Sequence, residues 1–185
     1  STMKFCLDSV IIRPEKGFEI KNAIILLHGY GGDGNDISML SLNWKRHMPN
    51  TVFICPNGHE SCAINPSGYQ WFDLTREDSD YILEQSIKGE EVLKKFINEI
   101  KNEFKLSNNQ ICLSGFSQGC MMSLNVGLTF EEKFLCIVGF SGKIINQKDL
   151  KNRIKNNTEI LLIHGEVDQI VPSTHLLEAK DFLIR

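Results

Sequence analysis

Short apolar runs alternate along this chain with longer stretches in which apolar residues recur every three or four positions. Several runs, such as those at 24–27 and 160–163, are apolar at successive positions, as are strands that are buried on both faces. The runs are short, and Gly or Pro follows several of them, which favours strands over core helices. We therefore predict strands over 9–12, 23–28, 51–55, 110–114, 134–140 and 159–164.

The stretches between the runs have the spacing of amphipathic helices. The clearest covers 79–105, where apolar residues at 93, 96, 97, 100 and 104 alternate with Lys and Glu. Gly89 lies inside it at a cost of about 1 kcal/mol relative to alanine, so this position is a candidate for close packing. Strands that alternate with helices predict one α/β domain over 1–185, with a doubly wound, mainly parallel sheet. Shorter helices are predicted over 36–47, 118–128, 147–154 and 173–184.

One connection, over 56–78, is long and has no clear period. Connections of this length are uncommon in compact domains unless they are functional. We expect a lid or a wall of a substrate pocket, with a plain surface excursion as the alternative. Ligands of doubly wound sheets bind at the carboxyl ends of the strands, so the motifs that end strands carry the functional argument.

Composition narrows the function classes. The net charge of −3 gives no sign of a nucleic-acid-binding surface, and no apolar run approaches the ~20 residues of a membrane span. The N-terminus shows no apolar stretch of the signal-peptide type. The six cysteines include no Cys-x-x-Cys pair, and three of them, at 112, 120 and 136, lie within apolar runs. We therefore predict a cytoplasmic protein without disulfides.

Residues 115–119 read Gly-Phe-Ser-Gln-Gly and join the strand predicted at 110–114 to the helix predicted at 118–128. This strand-turn-helix context is that of a nucleophile elbow, a turn too sharp for side chains on its flanks. The elbow exposes the serine hydroxyl at the strand end, and the helix N-terminus favours negative charge that develops on a substrate. Ser117 is therefore the predicted nucleophile.

A glycine-rich turn, from His28 to Gly34, closes the second predicted strand. In an α/β-hydrolase such a loop supplies one backbone N–H of the oxyanion hole, and the residue after the nucleophile supplies the other. These donors would be Tyr30 and Gln118. A phosphate-binding loop is the rival interpretation, and the absence of a Gly-Lys-Ser/Thr sequence from the turn argues against it.

A third motif, at 164–172, again follows an apolar strand. An acid at a late strand end, after the serine in chain order, fits the order Ser…Asp…His, in which the acid orients the histidine and stabilises its charged form. Asp168 is the predicted acid and Glu166 is its competitor. A turn carboxylate with a purely structural role is the alternative for either residue.

Together these motifs resemble those of the phospholipase/carboxylesterase family of α/β-hydrolases, close to acyl-protein thioesterases and small bacterial carboxylesterases. The matching segments keep the family's order and span nearly the whole chain, at 27–31, 56–58, 68–73, 115–119 and 164–172. The resemblance implies an α/β-hydrolase fold and hydrolysis of small acyl esters or thioesters without a metal or an organic cofactor. It implies Ser117 as nucleophile, Asp168 as acid, and Tyr30 and Gln118 as oxyanion donors. It also places the loop of Trp71 beside the acyl site.

The chain departs from the family after the acid. The family's catalytic histidine follows one more helix and one more strand, whereas this sequence ends at Arg185, within the expected helix. We therefore expect a fold that lacks the last strand and the last helix. We also expect a severely impaired hydrolase, because a serine without a base is a poor nucleophile. His175 and, less so, His59 are the weak candidates for a substitute base.

Loss of the last strand would make 159–164 a sheet edge that is apolar on both faces, and such edges pair with other chains. The sequence thus predicts self-association through this edge, or low stability. Two rival functions stay open: a non-catalytic acyl- or lipid-binding module derived from a hydrolase, and a metal protein. For the metal, Cys55, His59, Cys62 and Asp73 have ligand-like spacing, but closed zinc sites usually carry a second paired motif that this sequence lacks.

Overall fold

The computed structural model of the chain describes residues 5–142, 147–164 and 167–171. These residues form a seven-stranded sheet and a separate two-stranded hairpin. Numbered along the chain, the strands are β1 (Ser9–Ile12), β2 (Asn22–Leu27), β3 (Thr51–Pro56), β4 (Glu60–Ser61), β5 (Tyr69–Gln70), β6 (Ile111–Phe116), β7 (Cys136–Phe140), β8 (Ile160–His164) and β9 (Val167–Val171). The helices are α1 (Gly34–Trp44), α2 (Ser79–Phe104), α3 (Gln118–Thr129) and α4 (Gln147–Arg153), with 3-10 turns at Lys45–His47 and Asn108–Gln110.

The larger sheet has the strand order β1-β3-β2-β6-β7-β8-β9. The central strands, from β3 to β8 in this order, run parallel to one another. The two outer strands are exceptions, since β1 is antiparallel to β3 and β9 is antiparallel to β8. The mainly parallel sheet predicted from the sequence is therefore confirmed.

The prediction that 159–164 forms a sheet edge is wrong. β8 pairs with β7 on one side and with β9 on the other. The motif at 164–172 was interpreted as a segment that follows a strand, whereas 167–171 is itself a strand, whose apolar residues Val and Ile are β-branched and favour that conformation. Only two residues separate β8 from β9, and such short connections join antiparallel strands. The helix predicted over 173–184 lies outside the described residues.

The sheet separates two hydrophobic cores. Successive residues of β2 face opposite sides: Ile25 and Leu27 belong to the core formed with α2 and α3, whereas Ile24 and Leu26 belong to the core formed with α1. A strand covered on both faces needs apolar residues at successive positions, which explains the runs in the sequence. Helices thus cover both faces, as a doubly wound sheet requires.

The longest helix, α2, begins after Asp78, whose side chain accepts hydrogen bonds from the backbone N–H groups of Asp80 and Tyr81. Inside this helix, a Cβ atom at Gly89 would lie 2.6 Å from the carbonyl oxygen of Trp71. The close packing predicted for this glycine is therefore confirmed. The missing side chain lets α2 lie directly against the loop that carries Trp71.

A buried ion pair joins α2 to α4. Both carboxylate oxygens of Glu90 accept hydrogen bonds from the guanidinium of Arg153, at 2.9 and 3.0 Å. The side chain of Glu90 is 3% exposed and that of Arg153 is 29% exposed. Arg153 also donates to Asp149 at 2.7 Å, and its hydrogen bond to Glu90 raises the pKa of the guanidinium. This pair fixes the short helix α4 against the body of the domain.

The long connection over 56–78 contains β4 and β5 and is bonded to the glycine-rich turn that follows β2. The N–H of Gly31 donates to the carbonyl of Tyr69 at 2.9 Å, and the N–H of Tyr69 donates to the carbonyl of Gly32 at 2.8 Å. These bonds favour a wall of the strand-end site over a plain surface excursion. Separately, none of the helices in the described part of the chain combines the length and the apolar character that crossing a bilayer needs.

Candidate active site

Ser117 lies between the end of β6 and the start of α3, where the chain reverses sharply. Its backbone has φ 57° and ψ −114°, in the left-handed region that residues with side chains seldom occupy. Its N–H donates to the carbonyl of Phe140 at 2.9 Å, and its own carbonyl accepts from the N–H of Cys120 at 3.0 Å. These bonds hold the serine in this conformation at the carboxyl end of the sheet, where ligands of such folds bind.

The two glycines of the motif are required by packing. A Cβ atom at Gly115 would lie 2.2 Å from the backbone of Gly119, and a Cβ atom at Gly119 would lie 2.1 Å from the carbonyl oxygen of Leu27. Neither distance leaves room for a side chain. The first turn of α3 therefore rests directly on the end of β2, which brings the serine next to the glycine-rich turn.

That turn contacts the nucleophile. A Cβ atom at Gly29 would lie 3.2 Å from the ring of Phe116 and 3.4 Å from the Cβ of Ser117. Gly31, two residues further on, has a φ of 84°, which a glycine adopts readily. The turn therefore packs closely against Ser117, on which a substrate carbonyl would react.

The backbone N–H groups of the two predicted oxyanion donors, Tyr30 and Gln118, make no hydrogen bond within the described part of the chain. Gln118 is the first residue of α3, so its N–H has no partner within the helix and lies at the positive end of the helix dipole. Gln118 directly follows Ser117, and Tyr30 directly follows Gly29, which lies close to Ser117. Both donors are therefore near the nucleophile, as an oxyanion hole requires.

His28 is a structural residue of this turn. Its Nε2 accepts a hydrogen bond from the N–H of Gly58 at 2.9 Å, so the ring proton lies on Nδ1, which contacts the carbonyl of Gly29 at 2.7 Å. Burial lowers the pKa of the ring. Because both nitrogens are engaged, His28 fastens the start of the turn to the loop after β3 and has no nitrogen left for proton transfer.

The side chain of Gln118 bonds to the backbone of Trp71 and Phe72, a contact that the sequence did not indicate. The side-chain oxygen of Gln118 accepts from the backbone N–H of Trp71 at 2.8 Å, and its side-chain nitrogen donates to the carbonyl of Phe72 at 2.9 Å. The indole N–H of Trp71 donates to the carbonyl of His28 at 2.9 Å. Trp71 is fully buried, and its ring stacks on that of His28. Its proximity to an acyl chain stays a prediction.

Known proteins share this architecture. Residues 8–185 match the model of a family described as phospholipase/carboxylesterase. The chain belongs to this family. The resemblance drawn from the motifs, and the hydrolase class that it implies, are therefore confirmed.

Two curated relatives and two crystal structures illustrate the family. Acyl-protein thioesterase 1 of Schizosaccharomyces pombe is 28% identical over 190 residues, which cover 96% of this chain and 81% of the relative. Acyl-protein thioesterase 1 of Emericella nidulans is 31% identical over 167 residues, covering 80% of this chain and 70% of the relative. The crystal structure of esterase PE8 has a TM-score of 0.82 and 36% identity, covering 96% of this chain and 83% of that one. The crystal structure of Zea mays acyl-protein thioesterase 2, with 24% identity and a TM-score of 0.63 over 96% of this chain and 84% of that one, shares the fold.

Within this hydrolase fold, Asp168 lies in β9, beside Ile163 of β8. The pairing continues through Phe140 of β7 to Phe116 of β6, so Asp168 shares a row of the sheet with the residue before Ser117. Three strand spacings separate the two backbones, about 14 Å at ~4.8 Å per spacing. The acid role of Asp168 stays a prediction, and its competitor Glu166 lies outside the described residues.

The rival interpretations find no support in the geometry of this hydrolase. No group of three or more His, Cys, Asp or Glu side chains in the described part of the chain is placed to hold a metal ion, so the cluster suggested by Cys55, His59, Cys62 and Asp73 does not assemble there. The glycines at 29, 31 and 34 do have the G-x-G-x-x-G spacing of a dinucleotide-binding turn. However, the backbone of Tyr69 occupies the N–H of Gly31, which a phosphate would otherwise need.

Proposed function

We propose that this chain hydrolyses carboxylic esters or thioesters through an acyl-enzyme formed on Ser117. The observation that carries the proposal is the meeting of three features at one strand end: a serine in the strained elbow, and the free N–H groups of Tyr30 and Gln118 beside it. Membership of the phospholipase/carboxylesterase family and similarity to an esterase and to acyl-protein thioesterases support it. The substrate class is therefore a small acyl ester or thioester.

In the first step, the hydroxyl oxygen of Ser117 attacks the carbonyl carbon of the substrate and loses its proton to a base. The carbonyl oxygen becomes an oxyanion, which the N–H groups of Tyr30 and Gln118 stabilise. The tetrahedral intermediate then expels the alcohol or thiol, which takes up the proton, and leaves the acyl group on the serine. Water hydrolyses this ester in the same way, and Asp168 would orient the histidine that moves the proton.

The base itself is the open element of the proposal. Among the described residues, no histidine is hydrogen-bonded to the hydroxyl of Ser117, and both nitrogens of His28 are engaged elsewhere. His175 lies outside the described residues. A non-catalytic acyl- or lipid-binding module is the second candidate.

Two further expectations belong with this proposal. A cytoplasmic location fits an enzyme of small acyl substrates with reduced cysteines, and localisation of the tagged protein by fluorescence microscopy tests it. Self-association stays a prediction without the edge at 159–164 that was expected to carry it, and light scattering over a range of protein concentrations tests it. A molar mass that stays at that of one chain would count against it.

The decisive experiment separates covalent reactivity from turnover. Wild-type chain and the Ser117→Ala variant are incubated with a fluorophosphonate, followed by mass spectrometry, and with a short p-nitrophenyl ester, followed by absorbance. Labelling of Ser117 together with turnover well above the Ser117→Ala background supports a complete hydrolase. Labelling without turnover supports an activated serine whose acyl-enzyme is not hydrolysed. If Ser117 is not labelled and acyl ligands still bind, the binding-module candidate replaces the hydrolase.

A further inference from the structure

One short segment, residues 69–72, touches both halves of the proposed oxyanion hole. On the side of Tyr30, the backbone of Tyr69 exchanges hydrogen bonds with Gly31 and Gly32, at 2.9 and 2.8 Å. On the same side, the indole N–H of Trp71 holds the carbonyl of the residue two positions before Tyr30, at 2.9 Å. These bonds immediately flank the first oxyanion donor in the sequence.

On the other side, the segment is held by the side chain of the residue that carries the second donor. The amide of Gln118 uses its oxygen for the N–H of Trp71 and its nitrogen for the carbonyl of Phe72. Gln118 is fully buried, so these backbone groups have no water as an alternative partner. The side chain is thus fixed at both polar atoms, and its Cα and backbone N–H are fixed with it.

We propose that residues 69–72 form a brace that sets the spacing of the two oxyanion donors, with the Gln118 side chain as its positioning residue. This rests on the proposed function, since it assumes that the N–H groups of Tyr30 and Gln118 bind the oxyanion. Oxyanion stabilisation depends on donors that are already oriented when charge develops, and small displacements are costly. The brace connects the turn that follows β2 to the turn that carries Ser117. These two turns are distant in sequence, and neither could set the spacing of the two donors alone.

The test compares four variants for the rate at which a fluorophosphonate labels Ser117, because that reaction also places an oxygen in the oxyanion hole and does not require turnover. Gln118→Met keeps the length of the side chain but removes both hydrogen bonds. We expect its labelling rate to fall roughly 10- to 100-fold, the range of a misplaced donor. Trp71→Phe removes the indole N–H together with part of the buried ring that stacks on His28, keeps both hydrogen bonds of Gln118, and should show a smaller loss.

Asn156→Leu is the matched control, since the amide of Asn156 also bridges backbone groups away from the proposed oxyanion donors: its nitrogen donates to the carbonyls of Gly127 and Phe130, and its oxygen accepts from the N–H of Thr158. It should lower the melting temperature as Gln118→Met does, but label at the wild-type rate. This control separates loss of stability from loss of donor orientation. If Gln118→Met fails to fold, Trp71→Phe carries the comparison.

Gln118→Glu supplies a rescue that a merely structural role would not show. A protonated carboxyl group can accept from Trp71 and donate to Phe72, whereas a carboxylate can only accept. Its labelling rate relative to wild type should therefore rise as the pH is lowered. Wild-type labelling by Gln118→Met, with Ser117→Ala unlabelled, would overturn the brace and leave the proposed function standing. Label that persists in Ser117→Ala would instead overturn the proposed function.

Discussion

Replacing Arg153 with methionine removes the guanidinium from the carboxylate of Glu90, in the interior between α2 and α4, and leaves it a long hydrogen bond of 3.4 Å from the amide nitrogen of Asn125. The side chain of Glu90 is only 3% exposed, so water cannot take over the two hydrogen bonds that the guanidinium provides. Breaking a buried ion pair from one side costs about 3–5 kcal/mol of the free energy of unfolding. At ~2–4 °C per kcal/mol for a domain of this size, the melting temperature should fall by roughly 6–20 °C.

The reverse change should cost less. Glu90→Gln leaves Arg153 with a side chain that is 29% exposed and still bonded to Asp149, so the remaining charge keeps both water and a partner. We expect a loss of about 1–3 kcal/mol, that of an imperfectly satisfied polar group. The double variant Glu90→Leu with Arg153→Met should recover most of the stability, because no buried charge remains in it.

Urea unfolding followed by circular dichroism at pH 7 gives the three free energies. The reasoning is refuted if Arg153→Met is as stable as Glu90→Gln, or if the double variant is less stable than either single one.

Three further predictions follow from particular residues. Because burial lowers the pKa of His28, the unfolded chain binds its proton first; stability is therefore full above pH ~6.5 and declines as the pH falls below it, and His28→Gln should flatten this slope in urea titrations. In Gly29→Ala, the added Cβ would lie 3.2 Å from the ring of Phe116, so fluorophosphonate labelling should slow with little change in melting temperature. In Gly119→Ala, the added Cβ would lie 2.1 Å from the carbonyl oxygen of Leu27 in β2, so the melting temperature should fall well below that of the wild type. A hydrogen bond from the thiol of Cys112 lowers the pKa of Cys136, whereas partial burial raises the pKa of Cys6 to about 11. Iodoacetamide mapping by mass spectrometry should therefore find Cys136 modified ahead of the more exposed Cys6.

The parts of the fold that sequence reasoning captured are those in which local signals agree. The apolar run at 110–114 and the helix at 118–128 meet at a motif whose glycines permit only a sharp turn. The elbow at Ser117 could therefore be predicted from the sequence alone. Continuous apolar runs likewise predicted strands with a core on each face. In both cases the residues that determine the conformation are neighbours in the chain.

The parts that sequence reasoning missed depend on contacts between distant residues. The strand β9 was not predicted, because Asp168 was interpreted as a catalytic acid. Only the pairing with β8 makes 167–171 a strand. The connection over 56–78 has no period because its conformation is set by bonds to another loop, such as that between Tyr69 and Gly31. The side chain of Gln118 carried no signal, since the motif makes use of its backbone and the partners of its amide lie more than forty residues away.

The left-handed backbone of Ser117 also bears on how this protein can evolve. A non-glycine residue at a φ of 57° costs on the order of 1–3 kcal/mol, and glycine would relieve that cost by removing the nucleophile. Selection for thermal stability alone would thus favour the loss of reactivity at this position. Any lineage or laboratory library that keeps serine here does so under selection for chemistry, and its stability has to be gained at other positions.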